Sequence, residues 1–254
     1  MNGQKNKDPL GRGLGLSSYA YAMLSVAGVL CFFLIWQLLV QFGIVSGRYL
    51  AKPTEIISLF LYKLVNANPD GSTIPESIFA SLQVSLVGFF LAILIGIPTG
   101  FLMGWYKGFR QFVSPVFEIL RPIPPISWIP LTLLWLGIGI RAKAFIIFFA
   151  AFIPCVINSS AGIRQTNQTL IHVAKTCGAS NFEIFLKVGI PSSLPIMFAG
   201  IRVALGNAWA TLVAAEMLAA DSGLGYMILM GRNFARADIV ILGMVLIGVL
   251  GMVF

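Results

Sequence analysis

The sequence predicts an all-α membrane protein with about six transmembrane helices. Of its 254 residues, 58% are hydrophobic and only 10% are charged, and the mean hydropathy is +0.91. A soluble domain carries about 25% charged residues, because it must cover its core with a polar surface. Several uncharged runs also reach the roughly 20 residues that a helix needs to cross a bilayer. A membrane is therefore the natural solvent of this chain.

Hydropathy predicts one membrane domain, residues 19–254, after a tail of residues 1–18. The predicted spans are 19–42, 78–104, 112–137, 143–163, 192–215 and 238–254. The first apolar run is too long for a signal peptide and lacks its cleavage pattern, so we expect it to remain as an anchor. The last span is short, from which we expect the natural protein to continue past Phe254.

The third span, 112–137, is interrupted by proline. Pro122, Pro124, Pro125 and Pro130 lie close together there. Proline removes a backbone donor, and a broken helix is tolerated in a membrane only where protein or water covers it. We therefore expect this span to face a subunit interface or a translocation pathway; a kinked, lipid-facing helix is the alternative.

Charged and aromatic residues within the spans, together with two prolines of the interrupted third span, are candidates for a pathway or gate. The candidates are Arg121, Pro124, Pro125, Trp128, Arg202, Trp209 and Glu216. Arg121 is spaced to pair with Glu118 on one helix face. Arg202 either extends to the membrane interface or lines the pathway and attracts an anion. Glu216 is expected at the outer end of the fifth span, against a loop or a partner.

Patterns typical of catalysis are absent from the sequence. There is no Gly-x-x-x-x-Gly-Lys-Ser/Thr phosphate loop, and one histidine without paired carboxylates argues against an enzyme. Cys31, Cys155 and Cys177 have no disulfide or metal-site spacing. The net charge of +8 comes from basic residues spread over short loops, which argues against nucleic acid binding. We expect no catalytic, cofactor or metal site, so the energy for any active process must come from another polypeptide.

The polar stretch 164–190 carries a recognisable spacing. His172-Val-Ala-Lys-Thr-Cys-Gly178 is followed, nine residues later, by Val188-Gly-Ile-Pro191. This resembles the EAA loop of ABC importer permeases. Ala174, Gly178 and Pro191 match the family pattern, whereas His172 stands where the family has glutamate.

Three further segments resemble the permeases of the nitrate, sulfonate, taurine and bicarbonate group. They are Arg121–Leu131 with Leu134–Gly139, Gly206–Glu216 and Ser222–Tyr226. Together with the loop they cover roughly residues 78–250, in family order.

The resemblance implies a type I ABC importer permease fold, MetI-like, in a bacterial inner membrane with the N-terminus in the cytoplasm. The distribution of basic residues barely decides this orientation. It also implies a homodimer with the pathway between the copies, two ATPase subunits inside and a solute-binding protein outside. The residues implied in ATPase docking are His172, Ala174, Gly178, Ala179, Ser180 and Pro191.

The expected cargo is a small oxyanion: a sulfonate or taurine, nitrate or bicarbonate. One alternative is a permease of the same family that carries an aromatic acid or vitamin precursor. Another is an ion-coupled secondary transporter, which usually needs internal repeats and intramembrane acids. Glu118 is the candidate acid in this sequence, and no repeat between the halves is visible.

Overall fold

The computed structural model describes residues 18–219 and 221–253, so most of the predicted tail 1–18 lies outside the described residues. The described part is helical, without strands. Its α-helices are α1 Ser18–Gln41, α2 Pro53–Lys63, α3 Ile74–Trp105, α4 Lys107–Leu120, α5 Ile129–Leu136, α6 Ile140–Arg164, α7 Gln168–Thr176, α8 Asn181–Ile184, α9 Ile190–Ala219, α10 Leu224–Asn233 and α11 Ala237–Val253. A 3₁₀ turn, Pro125–Trp128, precedes α5, and a π-helical turn, Phe185–Gly189, joins α8 to α9.

Four helical stretches in the described residues are long and apolar enough to cross a bilayer: α1, α3, α6 and Asn181–Leu218. The bent pair of α4 and Pro125–Leu136 makes a fifth if it is one span. The apolar α11 has 17 residues. Each of the six predicted spans thus falls on apolar helix, but only four or five reach full spanning length.

The centre of the fold is a layer in which α6 packs between α3 and α9. Gly88, Gly96, Gly100 and Gly104 lie on the α3 side that meets α6. A Cβ at Gly100 would lie 2.6 Å from the Val156 carbonyl oxygen. Because lipid is as apolar as leucine, membrane helices associate through such close backbone packing rather than through the hydrophobic effect. The glycines of α3 therefore set its distance from α6.

A second cluster of apolar side chains joins α2, α10 and α11 beside the central layer. Leu224 and Met227 of α10 are fully buried against Ile239 and Leu242 of α11. The N-terminal half of α3 contributes Ile74 to the same cluster. By contrast α1 is exposed along most of its length, with 6% of its apolar stretch buried.

The predicted break in the third span is confirmed. The helix begins at Lys107 rather than at residue 112, ends at Leu120, and resumes after the proline-rich turn at an angle of 85° to its first part. The turn is closed by local hydrogen bonds, such as Ile123 N–H to Leu120 O at 3.1 Å. Proline at three of its positions removes the donors that would have continued the helix.

Candidate functional site

The segment 164–190, called here the docking segment, leaves the membrane layer at the end of α6. Asn167 caps α7, since its side-chain oxygen accepts a hydrogen bond from Thr169 N–H at 2.9 Å. Such a cap satisfies a backbone donor that the first helical turn leaves unpaired. In the described structure α7 packs mainly against α8. The helix therefore stands clear of the transmembrane layer.

A tight corner ends α7. Gly178 has φ +81°, Ala179 N–H donates to Ala174 O at 3.0 Å, and Gly178 N–H donates to Lys175 O at 2.9 Å. These two hydrogen bonds define a Schellman motif, in which glycine is favoured because it has no Cβ to clash in the left-handed conformation. Ala174 and Gly178, which match the EAA-loop pattern in the sequence, thus form the same corner.

The next helix starts immediately after the corner. Ser180 Oγ accepts from Glu183 N–H at 3.3 Å, and the Glu183 carboxylate accepts from Ser180 N–H at 2.9 Å. This capping box follows the sequence signature Ser-x-x-Glu, which our sequence analysis missed. The backbone and hydroxyl of Ser180, together with Lys187, hold the pKa of Glu183 below its ordinary value. The role of Ser180 here is that of a cap.

The corner encloses a shallow surface pocket of about 400 Å³ between α7 and α8. Ala174, Gly178 and Ala179 lie on its wall beside Val188. His172 is exposed on α7. Leu170, Val173 and Phe182 are also exposed, at 51%, 55% and 60%. The docking segment therefore has apolar side chains and small residues exposed on its surface.

From Asn181 the chain is helical as far as Ala219, because α8, the π-helical turn and α9 follow one another without a break. At 1.5 Å per residue, the stretch Asn181–Leu218 is about 57 Å long, almost twice the roughly 30 Å hydrocarbon core. One end must therefore project from the membrane. The part of the docking segment that follows the corner, from Asn181 onward, therefore forms one rod with α9.

This continuity corrects the boundary expected at residue 192. Pro191 lies inside the rod rather than at the start of a span. The preceding π-helical turn shifts the hydrogen-bond register, with Ile190 N–H bonded to Phe185 O. The Ser192 hydroxyl also donates to Val188 O at 2.6 Å. A proline is tolerated where such local adjustments satisfy the backbone groups that it leaves unpaired.

An aromatic contact joins the rod to the end of α3. The Phe185 ring lies 5.6 Å from the Trp105 ring and 5.7 Å from the Tyr106 ring. A Cβ at Gly189 would lie 3.0 Å from the Trp105 ring. The base of the docking segment therefore packs against the junction of α3 and α4 as well as continuing into α9.

Four of the predicted pathway residues lie at the surface of the chain or partly exposed. Arg121 is exposed, with a guanidinium nitrogen 3.7 Å from the Glu118 carboxylate. Pro124 is exposed and Pro125 half-buried in the proline-rich turn, and Arg202 is exposed on α9. Arg202 belongs to an exposed stripe at helical spacing that sequence analysis did not identify: Ala199, Arg202, Val203, Gly206, Asn207 and Ala210.

The other three predicted pathway residues pack inside the chain. Trp128 packs on Phe149, with ring centroids 5.0 Å apart. Trp209 is 7% exposed, and its indole N–H donates to Ile247 O of α11 at 3.1 Å. Glu216 is 1% exposed. Trp209 and Glu216 are therefore buried within the chain, whereas Trp128 is partly exposed.

Glu216 instead joins three parts of the fold. Its carboxyl oxygens lie 2.8 and 2.9 Å from Ser81 Oγ of α3, and Gly225 N–H donates to it at 2.8 Å. Leu224 N–H donates to the same Ser81 hydroxyl at 2.9 Å. Glu216 is expected from the sequence to contact a loop or a partner; its hydrogen bonds in the structure are to α3 and to the first turn of α10. Ser81 lies 135 residues away in sequence, so no local pattern could have identified it.

Over residues 18–219 and 221–253, no group of three or more histidine, cysteine or acidic side chains is arranged to hold a metal ion.

The fold and the docking segment together define a class: a multi-pass membrane protein with a helical element that projects from its transmembrane layer. The chain belongs to the family described as binding-protein-dependent transport system inner membrane component, which matches residues 88–254. Members of this family are transport subunits rather than enzymes.

Curated relatives agree over most of the chain. A putative ABC transporter permease protein of Methanocaldococcus jannaschii is 39% identical and covers 86% of this chain and 82% of the relative. The taurine transport system permease protein of Escherichia coli is 33% identical, covering 89% and 82%. The nitrate import permease protein of Leptolyngbya laminosa is 32% identical, covering 93% and 88%.

A solved structure of the MetNI methionine ABC transporter, in an inward-facing conformation, shares the fold. The TM-score is 0.61 at 22% identity, and the match covers 70% of this chain and 88% of that chain. The expected type I, MetI-like permease fold is confirmed.

Proposed function

We propose that this chain is the permease subunit of an ATP-driven importer and that its docking segment receives an ATPase subunit. The observation that carries this proposal is the rod from Asn181 to Ala219, which begins at the projecting corner and continues through the membrane layer. A motor that moves the corner at Gly178 would move α9 with it. The chain has no phosphate loop of its own, so the fuel is hydrolysed by the partner.

The partner subunits follow from the same arrangement. One ATPase would dock on each docking segment, with the residues from His172 to Ser180 at the contact, and Pro191 at the root of the rod. A solute-binding protein would deliver the cargo on the opposite side of the membrane. The family description, a binding-protein-dependent system, supports this assembly.

The exposed stripe of α9 supports a homodimer with the pathway between the copies. Arg202 and Asn207 lie on the surface of a helix that crosses the membrane. Polar side chains are costly in hydrocarbon and almost always face a protein interior or a water-filled cavity. A second copy that packs along the stripe, which also contains Gly206 and Ala210, covers these side chains or encloses water around them.

The cargo that fits best is a small oxyanion of the sulfonate, taurine or nitrate class. Relatives of similar length are named for taurine and nitrate. A guanidinium at Arg202, at the edge of a dimeric pathway, would attract an anion.

The docking segment would face the cytoplasm, and the N-terminus would lie on the same side. Cys177, an exposed thiol in the docking segment, offers a direct test. In a Cys31→Ser background, a membrane-impermeant maleimide should label Cys177 in inside-out vesicles and leave it unlabelled in right-side-out vesicles. The reverse pattern would contradict this orientation.

The proposed function is tested by purifying the chain in mild detergent from its own membranes and identifying the proteins that accompany it. We expect an ATPase with a phosphate loop. Proteoliposomes of this complex should take up labelled taurine or nitrate only with ATP on the docking-segment side and binding protein on the other. The variant Ala179→Trp should lose the ATPase while the permease stays in the membrane. ATP-independent uptake by the chain alone would overturn the proposal.

A further inference from the structure

A pocket of about 370 Å³ with a mixed polar and apolar lining lies between α4 and the C-terminal end of α6. Arg164 and Gln165, on its rim, lead directly into the docking segment. The pocket therefore opens on the same side of the membrane as that segment. It is separate from the exposed stripe of α9 and from the contact pocket at Gly178, which have different linings.

The rim of this pocket is cationic. Arg121 directly follows the end of α4 and Arg164 is the last residue of α6, so two arginines from different helices line one cavity. One acid, Glu118, also borders it, 3.7 Å from Arg121. Two arginines and one glutamate leave the rim with one excess positive charge. Guanidinium groups bind tetrahedral and planar oxyanions through paired N–H donors.

The walls and floor add two further features. Ser114 of α4 and Ser160 of α6 place hydroxyl groups on the lining, which can donate to an oxyanion. The floor is apolar, formed by Phe117 and Val156, which are 7% and 1% exposed. The cavity thus combines a charged rim with an apolar base. That combination suits an anion that carries an alkyl chain.

We infer that this pocket binds the anionic head group of an alkyl sulfonate or phosphate, with the alkyl chain against Phe117 and Val156. Two sources have this chemistry: an anionic lipid of the adjacent leaflet, and a free organic anion in the compartment that the docking segment faces. Basic pockets between transmembrane helices are known to hold lipid head groups. This site goes beyond the proposed function and does not require the ATPase.

The experiment measures ligand-induced thermal stabilisation of the purified full chain with two probes. The first is hexanesulfonate, added in neutral detergent and compared with sodium chloride at the same ionic strength. The second is phosphatidylglycerol, compared with phosphatidylcholine alone in nanodiscs. A ligand that binds only the folded state stabilises it by RT ln(1 + L/Kd), where L is the free ligand concentration, so the unfolding midpoint rises with the concentration of a specific ligand. Stabilisation by hexanesulfonate identifies a free anion, and stabilisation by phosphatidylglycerol alone identifies a lipid.

Substitutions of the arginines and of the glutamate on the rim should change the affinity for the probe in opposite directions. Arg164→Gln and Arg121→Gln should each weaken probe binding about tenfold or more, because each removes charged hydrogen bonds to the anion. Glu118→Gln should strengthen binding, because it removes the competing carboxylate. The control is Lys107→Gln, an exposed cation on α4 that does not line the pocket.

The inference is overturned if neither probe stabilises the chain, if the two arginine variants bind like the unmodified protein, or if Lys107→Gln weakens binding as much as they do. The last result would indicate general surface charge. ATPase capture by the same variants is measured separately, so that failure of this site and failure of the proposed function give different results.

Discussion

Glu216 and Ser81 form a buried polar pair that links separate helices of the bundle. The hydroxyl of Ser81 contacts the carboxyl group of Glu216 and also accepts from Leu224 N–H. Three elements, α3, α9 and the start of α10, meet at these side chains. A buried polar group that loses its partner retains the full cost of its removal from water. We therefore assign the pair a structural role, as a clasp.

Loss of the hydrogen bonds between Ser81, Glu216 and Leu224 should destabilise the fold without altering the docking segment. Ser81→Ala should lower the free energy of unfolding by about 1–3 kcal/mol, because both the Glu216 carboxyl and Leu224 N–H lose a partner. Unfolding of the detergent-solubilised chain by increasing SDS measures this change. Ser85→Ala is the matched control, since Ser85 is equally buried one turn further along α3 and has no bond to Glu216. Equal losses in the two variants would contradict the assigned role.

At the scale of elements, the corner of the docking segment depends on one left-handed glycine. Gly178→Ala should cost about 1–2 kcal/mol at the corner, since a Cβ is unfavourable at φ +81°. ATPase capture should fall roughly five- to thirtyfold, the population change that such an energy produces. Quantitative pull-down of the ATPase by the tagged chain gives the measurement.

Gly71→Ala is the control for this prediction. Gly71 has φ +88°, and a Cβ there would meet no neighbour within 4 Å, as at Gly178. The two substitutions therefore impose similar backbone strain at places far apart in the fold. If Gly71→Ala reduced ATPase capture as strongly, general destabilisation rather than the corner would be responsible.

The close packing of α3 on α6 leads to a second prediction at the scale of elements. Gly100→Val should destabilise the chain by about 1–3 kcal/mol, because the new side chain meets the Val156 carbonyl and Ser159. Gly28→Val on α1 should change little, because its surroundings are open. Heat denaturation of both variants in the same detergent compares them. Comparable unfolding temperatures would show that α3 and α6 are not in close contact.

For the whole molecule, the proposed homodimer predicts that two copies pack along the exposed stripe of α9. In a chain with Cys31→Ser and Cys177→Ser, Ala210→Cys should form a disulfide-linked dimer on mild oxidation in the membrane. Val245→Cys, on the exposed face of α11, should remain monomeric. Non-reducing electrophoresis distinguishes the two. A dimer through Val245 but not Ala210 would move the interface from α9 to α11.

Much of this architecture follows from composition and local pattern. Low charge content and uncharged runs require helices in a bilayer, because an unpaired backbone group in hydrocarbon costs several kcal/mol. The proline cluster after Arg121 predicts the break in the third span, since proline removes donors wherever it lies. The corner at Gly178 is likewise local, because a Schellman motif involves only neighbours in sequence and favours glycine at its left-handed position. These features are local, and the sequence by itself determined them.

The tertiary structure alone decided which polar residues are buried and which are exposed. Arg202, Trp209 and Glu216 all lie in one predicted span, and the sequence does not tell which of them is buried. In the structure Trp209 and Glu216 pack inside the bundle, whereas Arg202 faces outward. Their orientation depends on partners 38 and 135 residues away, Ile247 and Ser81. The continuity of the docking segment with α9 was likewise hidden, because Pro191 is typical of a helix start and only the π-helical turn before it accommodates the proline. The burial of Trp209 and Glu216 was fixed by contacts between distant residues, which carry no local signature, and the continuity of the rod by the hydrogen-bond register of its π-helical turn.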